Sequence, residues 1–328
     1  MAQRPLPAIN QRPEADRAQP ASATRPRPVA VSLLRSLRPS QWTKNLIVFA
    51  ALLFGERADA PAFLDPTAIA RAFAAFLIFC ALSGVVYLIN DVADRENDRL
   101  HPLKRNRPIA SGEVSPSLAM GTAVALAAVA LAGSYVLRPT FALVGVIYIA
   151  LQALYSGPLK HVVIIDVLTI AIGFVLRAVG GAVAIDVPIS HWLLILTILL
   201  ALFLALSKRR HELVLLADGA TSHRPILEEY SPYLLDQMIA VVTASTLISY
   251  VIYSVSPETV QKFHTDYLGL TLIFPLYGIF RYLYLVHQKE GGGNPADMLL
   301  NDRPLLVCVA MWAAAVAGII YGTSLING

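Results

Sequence analysis

The sequence predicts an all-α polytopic membrane protein, and three observations carry that prediction. Of its 328 residues, 56% are hydrophobic and only 15% charged, against roughly 25% charged in a soluble domain. A soluble chain of this length could not cover its surface. Nine stretches approach the roughly 20 apolar residues that cross a bilayer: residues 41–55, 67–90, 117–137, 140–157, 162–185, 191–207, 233–255, 267–287 and 304–326. Lys and Arg crowd the connections on one side only. With the N-terminus in the cytoplasm, 20 of the 26 Lys and Arg fall on cytoplasmic segments and three (Arg57, Arg138 and Lys262) on the opposite side, while Arg71, Arg177 and Arg281 lie within spans. That asymmetry sets the orientation in a cell membrane, and an odd number of spans then places the C-terminus outside.

Taken in order, residues 1–38 alternate Pro5, Pro7, Pro13, Pro20, Pro26 and Pro28 with seven arginines, and no apolar run appears before Val29. They read as a disordered basic cytoplasmic tail, leaving 39–328 as the transmembrane catalytic domain. The first span is short. The connections at 138–139 and 186–190 are brief, whereas those at 91–116, 208–232 and 288–303 are long and polar, so the chemistry belongs on the cytoplasmic face. Gly291-Gly292-Gly293 reads as a flexible connector, with Asp302 and Arg303 capping the last helix. Cys80 and Cys308 both sit in apolar runs and build neither a disulfide framework nor a Cys metal site. The net charge of +4 is explained by a basic rim beside anionic membrane lipid and calls for no nucleic acid. Oligomeric state is left open, a homo-oligomer included.

The second span runs into Asn90-Asp91-Val92-Ala93-Asp94-Arg95-Glu96-Asn97-Asp98, whose carboxylates at 91, 94 and 98 share one face of a continuing helix. Grouped carboxylates repel unless cations bridge them, and hard oxygen ligands suit magnesium shared with substrate phosphates. A solvated helix end paired with Arg95 and Arg99 is the plainer reading. Lys104, Arg105 and Arg107 follow at once, the composition of a magnesium-diphosphate cradle as well as of a positive-inside loop. Asp166 and Arg177 lie eleven residues apart in the fifth span, within about 20° of the same face, so both are expected to face the interior. They serve either as a buried ion network or as groups that orient substrate. Lys44 and Gln41 open the first span at the interface, where a lysine snorkels, and Trp42 reads as an interfacial anchor. An alternative of another class, a transporter, would place its charges near the midplane and not at one end.

The run from Asn90 to Asp98, with the basic loop ending in Arg107-Pro108-Ile109-Ala110-Ser111-Gly112, resembles the first aspartate-rich motif of the UbiA superfamily of intramembrane prenyltransferases. The resemblance covers essentially everything after residue 35. It implies nine transmembrane helices around a central cavity, with Mg2+ and a diphosphate held by the first motif, so that Asp91, Asp94 and Asp98 are the metal-binding and catalytic residues. Aromatic prenyltransferases of the superfamily carry a second aspartate-rich motif at the end of the sixth helix. This sequence has Ser207-Lys208-Arg209-Arg210-His211-Glu212 there, a departure that speaks against the alternative of prenyl transfer from a polyprenyl diphosphate to an aromatic acceptor.

Arg38 to Asn45, Tyr155 to His161, Arg177 to Ala184 and Asp297 to Pro304 resemble the decaprenyl-phosphate phosphoribosyltransferase branch, which supplies arabinan precursors for the cell wall. That resemblance implies transfer of 5-phosphoribose from phosphoribosyl diphosphate (PRPP) to a polyprenyl phosphate. It further implies PRPP contacts from Asn90, Lys104, Arg105, Arg107, Tyr155, Lys160, Asp166, Lys208 and Arg209. The acceptor phosphate would meet Gln41, Lys44 and Arg177, although Tyr155 reads equally well as an interface tyrosine.

Overall fold

The computed structural model describes residues 27–57, 60–101, 104–217, 225–289, 298–299 and 301–326. Most of the proposed tail and the triple-glycine connector lie outside them. Among the described residues, eight helices are long and apolar enough to cross a membrane: Pro66–Ala93, Pro116–Leu137, Pro139–Ser156, Ile165–Ile185, His191–Val214, Pro232–Val255, Tyr267–Gln288 and Arg303–Ile320. They match the second to ninth apolar stretches. The chain is thus a multi-pass, all-α protein, its only described strands being the two-residue pair β1 (Glu56–Arg57) and β2 (Ala60–Pro61).

Two expectations near the N-terminus need correction. The tail does not extend to residue 38, because Val29–Ser36 forms helix α1. Leu33 and Leu37 pack on the cluster of Val85, Leu88 and Ile109, and Ser32 Oγ donates to Glu113 at 2.6 Å. That burial offsets the entropy of ordering the segment. The first apolar stretch is not one regular helix either: a 3-10 helix over Pro39–Phe49 leads into α2 (Ala50–Phe54).

Helix starts follow local chemistry. Helices α3 (Pro66–Ala93), α5 (Pro108–Ser111), α6 (Pro116–Leu137), α7 (Pro139–Ser156), α10 (Pro232–Val255) and α11 (Pro257–Phe263) each open on proline, whose fixed φ suits the first turn and whose missing N–H costs nothing there. Asp65, Ser115, Ser231 and Ser256 cap four of them by accepting a backbone N–H from the first turn. Between them lie α4 (Arg95–Leu100), α8 (Ile165–Ile185) and α9 (His191–Ala217), and α12 (Ile273–Gln288) and α13 (Arg303–Ile326) close the chain.

Successive long helices pack side by side from α6 to α10, α3 packs on both α6 and α8, and α12 on α13. Helices α3 and α8 form the interior, with 50% and 56% of their spans buried against 17% for α6. The outer helices turn side chains such as Val129, Val136, Leu143 and Val241 outward, as hydrocarbon surroundings permit. One cluster (Val48, Phe79, Leu82, Phe141, Tyr148) ties the 3-10 segment to α3 and α7, and another (Val167, Phe203, Leu235, Ile279, Tyr282) joins α8, α9, α10 and α12.

The 3-10 segment lies directly on α8. A Cβ at Gly181 would stand 2.0 Å from the Val48 carbonyl oxygen, a backbone atom that cannot step aside. We expect Gly181→Ala to lower thermal stability in detergent by about 1–3 kcal/mol, and an unchanged melting profile would show that the two segments can separate without cost.

Candidate active site

One charged cluster grows from the end of α3. The helix stops at Ala93, yet its hydrogen bonding continues: Asp94 N–H donates to the Asn90 carbonyl and Asp98 N–H to the Asp94 carbonyl, each at 2.8 Å. Asp91 and Asp98 therefore stay two turns apart on one face, and both are buried. A single atom joins them, for Arg107 Nη1 donates to Asp91 Oδ1 at 3.1 Å and to Asp98 Oδ2 at 2.6 Å. Arg38 Nη2 makes a further ion pair with Asp91 Oδ1. The Arg38 guanidinium also lies over the Tyr87 ring, 4.7 Å from its centroid. Arg38 takes a left-handed backbone, φ 53° and ψ 65°, a conformation that costs a non-glycine residue of order 1 kcal/mol and recurs at functional sites.

The expected trio of carboxylates is only partly assembled. Asp94 is half-buried and makes no side-chain hydrogen bond or ion pair among the described residues, where no three Asp, Glu, His or Cys side chains are grouped as a metal site. The difference lies in pairing: Arg107 links Asp91 to Asp98 and makes no contact with Asp94. Of the basic loop, Arg107 alone reaches Asp91 and Asp98 by these contacts; Lys104 and Arg105 are exposed on the turn Lys104–Asn106. Asn90 is half-buried.

A second network gathers around the start of α8. Asp166 is fully buried and accepts from Arg209 Nε and from the Tyr230 hydroxyl, both at 2.9 Å. Arg209, also buried, donates to Glu212 Oε2 at 2.8 Å and to Tyr155 Oη at 3.3 Å. Tyr230 Oη in turn accepts the Ile164 N–H at 2.7 Å. Burial first, and then the Asp166 carboxylate, push the Tyr230 hydroxyl up to about 12, so it stays protonated and donates. Ile164 has a φ of 70°, a rare conformation for a β-branched residue. Asp166 thus sits in a buried ion network whose cation is Arg209 and not Arg177, and the Arg209 guanidinium is engaged by Asp166, Glu212 and Tyr155. Lys208 is half-buried, its Nζ 3.8 Å from Glu212 Oε1, and Lys160 is half-buried in the turn Leu159–His161. Arg210 pairs with Asp236 through Nε at 2.5 Å, tying α9 to α10.

Arg177 does not join Asp166, despite their common face. It is buried in mid-helix and donates to Asn45 Oδ1 at 2.7 Å, to the Gly173 carbonyl at 2.8 Å and to Tyr148 Oη at 2.8 Å. Through Asn45 it anchors the 3-10 segment, on which Gln41 and Lys44 are half-buried. Trp42 is half-buried, and its Nε1 is buried with no hydrogen-bond partner among the described residues.

Residues 46–301 match the UbiA prenyltransferase family. The chain belongs to this family. Decaprenyl-phosphate phosphoribosyltransferase of Mycolicibacterium smegmatis is 33% identical over 93% of this chain and 97% of that protein. The enzyme of the same name from Corynebacterium glutamicum is 33% identical over 90% of this chain and 89% of its own. Among solved structures, a UbiA homolog from Archaeoglobus fulgidus bound to GPP and Mg2+ superposes with a TM-score of 0.66 at 18% identity, covering 88% of this chain and 99% of that one. The fold of this UbiA family member is therefore shared with that archaeal protein.

The acidic end of α3 fits a hard divalent cation by its donors. Two buried carboxylates close enough to share one nitrogen supply hard oxygens, and magnesium usually takes one or two carboxylates and fills its remaining positions with water and substrate phosphate. Arg38, Tyr230 and Tyr148 escaped sequence reasoning. Arg38 stood in a quoted run without a role, and the two tyrosines carry no spacing that marks them.

Proposed function

We infer that this UbiA family member transfers the 5-phosphoribosyl group of PRPP to decaprenyl phosphate and releases diphosphate. The observation that carries this reading is the end-to-end similarity to decaprenyl-phosphate phosphoribosyltransferases at 33% identity. The cationic run Lys208-Arg209-Arg210 within α9 supports it, since Lys208 suits a phosphate of the donor better than a second metal pair. Asp91 and Asp98, with Asp94 nearby, would hold magnesium and the diphosphate, and Lys104, Arg105, Lys160 and Lys208 would balance the remaining phosphate charge. Magnesium, when bound, supplies charge that stabilises the leaving diphosphate.

The lipid phosphate has already lost its first proton at neutral pH, so it attacks C1 without a strong general base. As its oxygen bonds to C1, the bond from C1 to the diphosphate oxygen breaks, and approach from the opposite face inverts C1 to give a β-linked lipid phosphoribose. The protein's part is placement and charge. Gln41, Lys44 and the buried Arg177 network line the approach of the acceptor phosphate.

In this reading the chain crosses the membrane nine times around a central cavity, with the N-terminus and the site on the cytoplasmic side. Residues 39–54 complete the count. Eleven residues of 3-10 helix followed by five of α-helix span about 30 Å, the thickness of the hydrocarbon core, because the 3-10 rise is about 2.0 Å per residue. The product is a precursor for lipid-linked arabinose donors.

The test is donor identity. Purified protein given ribose-labelled PRPP, decaprenyl phosphate and magnesium is expected to move label into extractable lipid, and EDTA to stop it. Prenylation of 4-hydroxybenzoate with no use of PRPP would overturn the assignment, and full turnover in EDTA would overturn the metal.

A further inference from the structure

We propose that Arg38 and Arg107 act as built-in counter-cations that keep the acidic site closed to a divalent metal until a diphosphate arrives with it. The inference rests on the reading of Asp91 and Asp98 as the metal and diphosphate site, and it deepens that reading by assigning an order to binding.

Position comes first. Arg107 Nη1 bridges Asp91 and Asp98, the place between two hard oxygens that a bound cation needs. Arg38 pairs with the same Asp91 oxygen, and its guanidinium lies over the Tyr87 ring. Exposure shows which layer is outermost: the arginine side chains are 28% and 29% exposed, the two carboxylates 3% and 4%. The guanidinium groups are the solvent side of the cluster, so an incoming metal meets them first.

Charge then decides the outcome. Two carboxylates facing two guanidinium groups are neutral together, and a divalent cation entering alone would leave two uncompensated positive charges in a poorly solvated place. A diphosphate entering with the metal restores balance, because each guanidinium exchanges a carboxylate oxygen for phosphate oxygens, which it binds with the same fork geometry. Metal and diphosphate thus strengthen one another's binding, and by linkage the gain is the same from either side. Such a site excludes free magnesium and engages the magnesium complex of its donor.

The sign of the mutational effect separates this from a structural role. Arg38→Gln and Arg107→Gln each remove one competing positive charge while keeping a polar side chain of similar reach. Mn2+ binding is read by electron paramagnetic resonance on the full-length protein, with and without inorganic diphosphate. Each variant is expected to bind Mn2+ alone roughly tenfold more tightly than wild type, and to lose roughly tenfold of the gain that diphosphate confers. Thermal unfolding reports whether the fold persists, and the two variants sit on different segments, so loss of one leaves the other to decide.

Weaker or unchanged Mn2+ binding in both folded variants, with wild-type binding abolished by Asp91→Asn, overturns the counter-cation role and leaves the metal site standing. Wild-type Mn2+ binding indifferent to Asp91→Asn sinks the metal site itself, and this inference with it. Neither result depends on the identity of the phosphoribosyl donor, which the labelled-lipid assay tests separately.

Discussion

Asp91→Asn is expected to reduce label transfer from PRPP to lipid by about a thousandfold, the scale seen when one preorganised electrostatic contact to a developing charge is removed. Asparagine has the shape of aspartate and keeps an acceptor oxygen, so the substitution removes charge with little change of volume. Asp91 is the residue on which the acidic end of α3 converges: Arg38 and Arg107 both end on its Oδ1, and Arg107 links it onward to Asp98. With that charge gone, one buried carboxylate faces two guanidinium groups and a hard cation loses half of its paired donors. The fold should survive, since α3 is held by Phe79, Leu82 and their neighbours and the arginine side chains remain about 30% exposed. A steady-state rate near wild type with a normal melting profile would remove Asp91 from the chemistry. A collapse of the melting temperature with no loss of activity per folded molecule would make it a structural residue only.

The long helices were legible because hydrocarbon imposes a single rule on every span, and composition records it: among the described residues eight of the nine apolar stretches became helices long enough to span, the eighth opening with a 3-10 segment over Tyr267–Leu272. The first did not, since its geometry depends on contact with another segment. Gly181 lets the Val48 carbonyl approach α8, and Arg177 grips Asn45 across 132 positions of sequence; neither partner is visible from the other's neighbourhood. The motif at 91–98 was legible as charge at the end of an apolar span, but its pairing was not. Which cation meets which carboxylate is a matter of tertiary placement, so Arg107 was foreseen in the site while Arg38, 53 residues before Asp91, was not. The face shared by Asp166 and Arg177 misled for a related reason. Periodicity gives direction around a helix axis, whereas a span of three turns lets two side chains on one face meet different neighbours.

Asp166→Leu should be the most damaging substitution for stability, at about 3–5 kcal/mol, because it strips a carboxylate from a buried guanidinium. Arg209 is 2% exposed and Asp166 fully buried; once Asp166 is gone, Glu212 and Tyr155 remain as partners of Arg209. The loss also frees the Tyr230 hydroxyl that holds the Ile164 N–H, and with it the strained backbone on which α8 begins. A second substitution tests the cause. If the penalty is a buried guanidinium left with one carboxylate in place of two, Arg209→Met in the same chain should recover at least half of it, as coupled neighbours do in a double-mutant cycle. Asp166 was also a candidate for orienting the ribose of PRPP, and that role predicts another pattern: a raised KM for PRPP in Asp166→Asn with the melting profile intact, and no recovery from Arg209→Met. The buried pair belongs to the scaffold if stability falls first and the second change restores it. It belongs to the substrate if binding falls first and nothing at position 209 brings it back.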